Sequence, residues 1–188
     1  ISYRLVGSEM CIRDSARWAV EHQELGGPWS FERMSWIKPN FLWMMYRSGW
    51  ASKKNQERIL AVTITREGFE TILSRAVESS YHPEIDGPDR DAWRRRGKTA
   101  GVRMQWDPDH GPGGNKEERR AIQLGLRGET LRQFAVEWTT AIADITPLVH
   151  EQRAIMQSGE YERLQTPAEA VYTPADAEVR RRIRLDSL

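Results

Sequence analysis

Residues 102–127 read VRMQWDPDHGPGGNKEERRAIQLGLR, and this stretch contains two segments with the alternating pattern of β-strands. We predict strands over 102–106 and 121–126, separated by a mobile glycine- and proline-rich loop over 107–115. Side chains alternate across a strand, so each strand has one apolar and one polar face. If the two strands pair, one face of the sheet collects the polar side chains of Arg103, Gln105, Asp107, Gln123 and Arg127.

This polar face predicts a binding site. Glutamine carboxamides can read a nucleobase or amide edge, and arginines can hold phosphate or carboxylate groups. Asp107 is the best carboxylate for a general base or for charge stabilisation. Gly125 lies beside Gln123 and would allow a close backbone approach. The alternative is a solvated sheet face, which is common in antiparallel sheets.

Outside these strands, hydrophobic periodicity predicts several helices and one further strand. The helices cover 16–25, 39–49, 69–77, 89–96, 129–142, 146–157 (with Thr146 as N-cap) and a segment after Pro174, and the strand covers 59–65. An aromatic-rich loop is predicted over 28–37. This order indicates the α+β class, a small mixed or antiparallel sheet packed with several helices. We expect one domain over 16–159 and a peripheral C-terminal arm over 160–188.

A second candidate region is WIKPNFLWMMYRSGWASKK, residues 36–54. Trp36, Trp43 and Trp50 are spaced by seven, which puts residues on one face if a single helix contains them. Packing in the core is the alternative for these tryptophans. The helix is otherwise apolar, and polar side chains are costly to bury without purpose. We therefore add three residues to the ligand-binding candidates: Lys38, Tyr46 and Arg47.

Composition and motifs exclude several functions. The chain carries no Walker loop, GxGxxG, HExxH or GxSxG motif. Its four histidines lack metal-ligand spacing, so no metal site is predicted. His110, in the glycine-rich loop, is a candidate general acid or base, with a surface histidine as the expected alternative. A net charge of +1 argues against a broad nucleic-acid-binding surface. Of 28 basic residues, 23 are arginines, which reflects either genome composition or recognition of phosphate.

Residues 5–15, LVGSEMCIRDS, resemble the translation of a sequencing adapter. We therefore expect residues 1–15 to be non-native, the natural sequence to begin near Ala16, and a natural N-terminal strand to be missing. Cys11, the only cysteine, falls in that segment. No apolar run approaches the roughly 20 residues that span a bilayer. The absence of cysteine beyond Cys11 fits a reducing compartment, and we expect a cytoplasmic location.

Four segments together resemble the bacterial and fungal domain-of-unknown-function family DUF4291, over about residues 16–157. They are SWIKPNFLWMMYRSGWASK (35–53), VRMQWDP (102–108), AIQLGLRGE (121–129) and DITPLV (144–149). Family members typically begin with a strand containing a YQAY-like sequence, where this chain has adapter-like residues. The resemblance implies a soluble single domain and brings no reaction. More loosely, the element order looks like small ADP-ribosyltransferase-type folds, which hold NAD in a cleft.

These observations lead to three functional hypotheses. The first is a soluble enzyme that binds a nucleotide-like ligand, with NAD as the candidate, on the Gln/Arg sheet face. Its predicted catalytic residues are Asp107 and Arg127, and its predicted ligand-binding residues are Lys38, Tyr46, Arg47, Arg103, Gln105 and Gln123. The second is a module that binds RNA or single-stranded nucleic acid without catalysis. The third is a structural or partner-binding domain that uses the arginine-rich C-terminal arm.

Overall fold

The computed structural model describes residues 3–7 and 13–185 of the chain. The strands are β1 (Tyr3–Gly7), β2 (Ser35–Ile37), β3 (Leu60–Ile64), β4 (Ala76–Glu78), β5 (Val102–His110), β6 (Lys116–Leu126) and β7 (Thr139–Asp144). The α-helices are α1 (Arg13–His22), α2 (Phe41–Ser48), α3 (Arg66–Ser74), α4 (Pro83–Asp86), α5 (Arg90–Thr99), α6 (Gly128–Gln133), α7 (Thr146–Ser158) and α8 (Ala177–Arg182). A π-helical turn covers Phe134–Trp138, and a 3-10 turn covers Tyr161–Arg163.

The strands form two small sheets in a single α+β domain. One sheet has the order β1-β3-β7 and is antiparallel, and the other has the order β2-β6-β5-β4. In the second sheet β4 runs parallel to β5, so this sheet is mixed. The predicted α+β class is confirmed, but the strands divide between two sheets where one was expected.

Both sheets contribute to the main hydrophobic core. In β3, Leu60, Val62 and Ile64 are almost fully buried, which confirms the predicted apolar face of that strand. Met104 of β5 and Leu124 of β6 belong to the same core. A smaller core forms around the apolar helix α2, with members Phe41, Met44, Met45, Trp50, Ala51, Ile59 and Val149. The apolar face of the four-stranded sheet is thus buried in the core, and its opposite, polar face is available to form a binding site.

The helix predicted over 39–49 is confirmed as α2, and its end follows from Gly49. This glycine adopts the left-handed conformation with φ 59°, and its N–H bonds the last carbonyls of the helix. At the other end, Asn40 makes no side-chain capping bond. The carboxylate of Glu169 instead accepts a hydrogen bond from the Phe41 N–H at 2.5 Å. A carboxylate at a helix N-terminus is favoured by the helix dipole, so the C-terminal segment helps to fix α2.

Two predicted helices end earlier than their periodicity suggests. Helix α3 ends at Ser74, and Ala76 and Val77 form β4 beside β5. The helix predicted over 129–142 is wrong beyond the π-helical turn, because Thr139–Asp144 pairs with β3 as β7. Completing the three-stranded sheet outweighs local helical propensity there. Thr146 begins α7 without capping it, and its Oγ1 accepts a hydrogen bond from the Ile59 N–H.

The loop predicted over 107–115 is also wrong. Strand β5 continues to His110 and β6 begins at Lys116, so only residues 111–115 form the turn. The strands stay paired in this region: Pro108 lies opposite Arg120 and His110 lies opposite Lys116, with a register shift between the two pairs. A bulge is a position where a strand accepts proline. The aromatic segment predicted as a loop over 28–37 likewise ends in β2, which pairs with β6.

The two terminal segments both contact the domain. A strand does precede α1, but it is β1 at Tyr3–Gly7, within the residues 1–15 that we predicted to be non-native, and it pairs with β3. Cys11 lies outside the described residues, and the non-native origin of 1–15 stays a prediction. In the segment predicted as a peripheral arm, Val179 and Ile183 are buried in the main core. None of the helices in the described ranges is long and apolar enough to cross a membrane.

Candidate functional site

A cleft of about 330 Å³ lies between α2 and the β5–β6 hairpin, and we call it the α2 cleft. Strand β2 supplies one side, α2 supplies another, and the hairpin supplies the floor and the far end. The lining residues are Trp36, Trp43, Tyr46, Arg47, Asp107, Pro108, His110, Lys116 and Gln123. The cleft therefore combines aromatic rings, two cationic side chains, a carboxylate and a carboxamide, which is the composition expected of a ligand site.

Trp36 reaches the cleft because Gly125 lies beneath it. The two residues are directly opposite each other on β2 and β6. A Cβ atom added at Gly125 would lie 3.1 Å from Cε2 of Trp36 and 2.5 Å from the sulfur of Met34. The glycine thus makes room for these two side chains, which are the groups that approach the backbone closely here.

Tyr46 and His110 stack face to face at one end of the cleft. Their ring centroids are 3.6 Å apart and their planes differ by 9°. His110 is only 5% exposed, so the expectation of a surface histidine is wrong. The turn after β5 also contacts Tyr46, since a Cβ atom at Gly114 would lie 3.4 Å from its Cδ2. This packing fixes the hairpin against α2.

The floor of the cleft contains a carboxylate held by two glutamines. Gln105 and Gln123 are directly opposite each other on β5 and β6, as the alternation predicted. Nε2 of Gln105 donates to Oδ1 of Asp107 at 2.8 Å, and Nε2 of Gln123 donates to Oδ2 at 2.7 Å. Both oxygens of Asp107 are thus engaged by neutral donors, and the side chain orients the two carboxamides.

The two arginines of the predicted sheet face bind the end of α5 instead of facing the cleft. Nε of Arg127 donates to the Ala100 carbonyl at 2.7 Å, and Nη1 of Arg103 donates to the Gly97 carbonyl at 3.2 Å. Cations at a helix C-terminus are stabilised by the dipole. Burial lowers the pKa of Arg103 from its ordinary value, and the positive charge of Arg127 lowers it further.

A model of the DUF4291 family, described as a domain of unknown function, matches residues 11–172 of the chain. The chain belongs to the DUF4291 family. No curated protein matches the chain, and no solved structure matches it. The match to the family model confirms the resemblance to DUF4291 that the sequence motifs indicated. Because the DUF4291 description carries no activity, the function of this family member has to be argued from the cleft itself.

In this DUF4291 protein the cleft brings together half of the sequence-predicted site residues. Tyr46, Arg47, Asp107 and Gln123 line it, whereas Arg103, Gln105, Arg127 and Lys38 do not. Lys38 is 1% exposed, and its Nζ lies 5.4 Å from the centroid of the Trp43 ring. Lys38 is therefore buried and makes a cation–π contact with the ring of Trp43.

The structure adds Lys116 to the site and places His110, for which a surface position was expected, in the lining of the cleft. His110 was assigned to the mobile loop over 107–115, and Lys116 lay between that loop and the strand predicted over 121–126. Extending the register of Asp107 and Pro108 would have placed His110 opposite Glu118, whereas the register shift after Pro108 places it opposite Lys116. Strand alternation alone therefore could not have found this pair. Trp36 and Trp43 line the cleft, while Trp50 packs against Phe41 in the smaller core, with centroids 6.2 Å apart.

Two buried nitrogens beside the cleft make no hydrogen bond to any described residue. They are Nε1 of Trp43 and Nδ1 of His110. A buried polar group without a partner costs about 1–3 kcal/mol and therefore calls for an explanation, of which a functional role is one. Both atoms are covered, so a ligand would reach them only if neighbouring side chains shift. In the described ranges, no group of three His, Cys, Asp or Glu side chains is arranged to hold a metal ion.

Proposed function

We propose that the α2 cleft binds a nucleotide-like ligand and that the protein is an enzyme acting on it, with NAD as the candidate substrate. One observation carries this proposal. The cleft places the rings of Trp36 and Trp43 within the same small volume as the cations Arg47 and Lys116. A nucleotide presents the complementary pair of groups, a flat base that stacks on aromatic rings and phosphates that bind guanidinium and ammonium groups.

Each group of residues in the cleft would bind a different part of the ligand. The tryptophan rings would stack on a base, Arg47 would bind a phosphate through its planar fork, and Lys116 would add a second positive charge. Gln123 would hydrogen-bond a base or amide edge. Asp107 is the carboxylate of the cleft and is our candidate for stabilising positive charge that develops on the ligand. Arg127, the other predicted catalytic residue, lies at the end of α5 and has no part in this arrangement.

Two further arguments support NAD as the first ligand to test. The element order of the chain looks like that of small ADP-ribosyltransferase-type folds, which is analogy at the level of fold. A dinucleotide also offers two rings and two phosphates, which matches two aromatic walls and two cations. We further propose a cytoplasmic location, which fits a sequence without cysteine beyond Cys11.

A thermal-shift titration with NAD, ADP-ribose and a short RNA tests the proposal. A ligand at about 100 times its Kd adds roughly 2.7 kcal/mol to the unfolding free energy. We expect a saturable increase in Tm with NAD or ADP-ribose, followed by detection of transfer or hydrolysis products. Unchanged Tm values with both, at concentrations up to several millimolar, would contradict the proposal.

The second candidate is a module that binds RNA or single-stranded nucleic acid. It is favoured by the exposed basic side chains of β6 next to the cleft, which are Lys116, Arg119 and Arg120. Bases would stack on the tryptophans, and affinity would fall steeply with salt because phosphate contacts release counterions. However, Arg119 pairs with the buried Asp109 at 2.5 Å, and Arg120 donates to the Trp106 carbonyl at 2.7 Å. A Tm increase with RNA alone would favour this candidate.

The third hypothesis, partner binding through the C-terminal arginines, has less support. Arg180 donates to the carbonyls of Pro174 and Ala175, Arg181 pairs with Glu178, and Arg182 donates to the Ser74 carbonyl. Of these contacts, the one from Arg182 attaches α8 to the end of α3, whereas those of Arg180 and Arg181 lie within the C-terminal segment. Because these arginines already bind groups of the same chain, fewer of their N–H donors are available to a partner.

A further inference from the structure

Asp107 fixes the orientation of the Gln123 carboxamide. An ionised carboxylate only accepts hydrogen bonds, so an amide NH₂ group facing it is attracted and an amide oxygen facing it is repelled. Nε2 of Gln123 accordingly donates to Oδ2 of Asp107 at 2.7 Å. The same rule applies to Gln105, which donates to Oδ1 at 2.8 Å. The two amide groups satisfy both oxygens of one carboxylate.

This orientation decides what Gln123 can offer a ligand. The carboxamide is planar, and its oxygen and nitrogen lie on opposite sides, so Oε1 points away from Asp107 when Nε2 faces it. Gln123 lines the α2 cleft, whereas Gln105 does not. Because Nε2 of Gln123 is bonded to Asp107, Oε1 is the atom of this carboxamide that is left to accept a hydrogen bond from a ligand in the cleft.

We propose that Gln123 is the specificity-determining residue of the cleft and selects ligands whose ring carries an NH₂ group, with Asp107 as its positioning residue. This inference rests on the proposed nucleotide-binding function. The donor has two sources in a dinucleotide, the exocyclic amine of adenine and the carboxamide of nicotinamide. A ligand with a carbonyl in that place faces the Gln123 oxygen with another acceptor, and the hydrogen bond is lost.

Isothermal titration calorimetry with three dinucleotides tests the selection. The ligands are NAD, nicotinamide hypoxanthine dinucleotide, which lacks the adenine amine, and nicotinic acid adenine dinucleotide, which lacks the carboxamide N–H. We expect at least one of the two analogues to bind about tenfold more weakly than NAD, the effect of one hydrogen bond. The weaker analogue identifies the ring that lies at Gln123.

Two variants test whether this preference depends on the Asp107–Gln123 pair. In Asp107→Asn the amide no longer repels Oε1, so Gln123 can turn its NH₂ group toward the ligand. We expect the ratio of the two dissociation constants to fall from about ten toward one. Gln123→Leu removes the acceptor, and the same fall in the ratio is expected. Gln157→Leu, an exposed glutamine near the end of α7, is the matched control and keeps the wild-type ratio.

The outcomes separate this inference from the proposed function. If NAD and both analogues bind equally well, the selection is overturned while nucleotide binding stands. A ratio that stays near ten in both Asp107→Asn and Gln123→Leu also overturns it. If none of the three ligands binds the wild type, the proposed function fails and the selection fails with it. Thermal unfolding shows whether Asp107→Asn is folded, and Gln123→Leu decides the test alone if it is not.

Discussion

Tyr46 and His110 stack with their ring centroids 3.6 Å apart, and this contact joins the exposed side of α2 to the end of β5. Tyr46 is 47% exposed, whereas His110 is 5% exposed, so one ring covers the other. The pair forms one end of the α2 cleft. It also explains why the glycine-rich turn is held close to α2.

We predict that the Tyr46–His110 stack contributes to stability. An aromatic pair adds about 0.5–1.5 kcal/mol beyond the area it buries. Tyr46→Ala and His110→Ala should each lower the unfolding free energy in chemical denaturation, and the double variant should lose less than the sum of the two. Tyr46→Phe keeps the ring and is the matched control. A double-mutant cycle with no coupling between the two positions would contradict this prediction.

The close packing of α3 against the π-helical turn gives a second prediction. A Cβ atom added at Gly68 would lie 2.5 Å from Cγ of Trp138, which is closer than side chains approach each other. Gly68→Ala should therefore lower the unfolding free energy by about 1–3 kcal/mol, the usual cost of overpacking. In a Trp138→Ala background the same change should cost much less. An equal cost in both backgrounds would show that this contact is not the cause.

Asp89 gives a prediction about pH. Its Oδ1 accepts hydrogen bonds from the N–H groups of Ala92 and Asp91, both at 2.9 Å, at the N-terminus of α5. These bonds, that from Ala92 first, lower the pKa of Asp89 from its ordinary value, and Arg95 lowers it further. A carboxyl whose pKa is lower in the folded state stabilises the fold above its unfolded pKa, about 3.9 for aspartate. That stability is lost as the pH falls through the folded pKa.

Asp89→Asn is the variant that tests this pH dependence, because asparagine also caps helices but does not titrate. The unfolding free energy of the wild type minus that of Asp89→Asn should be constant above about pH 5 and should fall as the pH is lowered toward 2. Denaturant titrations at several pH values measure the difference. A difference that is independent of pH over this range would show that Asp89 does not act in this way.

Local sequence patterns predicted the helices and strands that depend on near neighbours. The alternation in β5 and β6 correctly placed Gln105 opposite Gln123, and the apolar stretch before Gly49 correctly placed α2. Local patterns failed where pairing with a distant strand determines the secondary structure. Residues of β7 have a helical period, but they pair with β3, more than 70 positions away in the chain.

Sequence patterns placed the site residues that depend on strand alternation and failed for those whose partners are distant in the chain. Asp107 and Gln123 follow from strand alternation alone. The contacts of Arg103 and Arg127 could not be foreseen, because no pattern shows that the end of α5 lies beside their strands. His110 was misplaced because proline and glycine are typical of loops, whereas here Pro108 lies at a bulge in a continuing strand. A segment rich in glycine and proline between two strands can therefore continue the hairpin, as residues 108–110 do here.

The most direct test of the α2 cleft is the affinity of the protein for ADP-ribose and NAD, measured by isothermal titration calorimetry for the wild type and two arginine variants. Arg47 lines the cleft, whereas Arg94 lies exposed on α5 and pairs with Asp91. A hydrogen bond to a charged group contributes about 1.5–3 kcal/mol, so Arg47→Gln should weaken binding by roughly 10- to 100-fold. Arg94→Gln should bind like the wild type. Equal affinities for all three proteins, or no binding by the wild type, would contradict a nucleotide site in the α2 cleft.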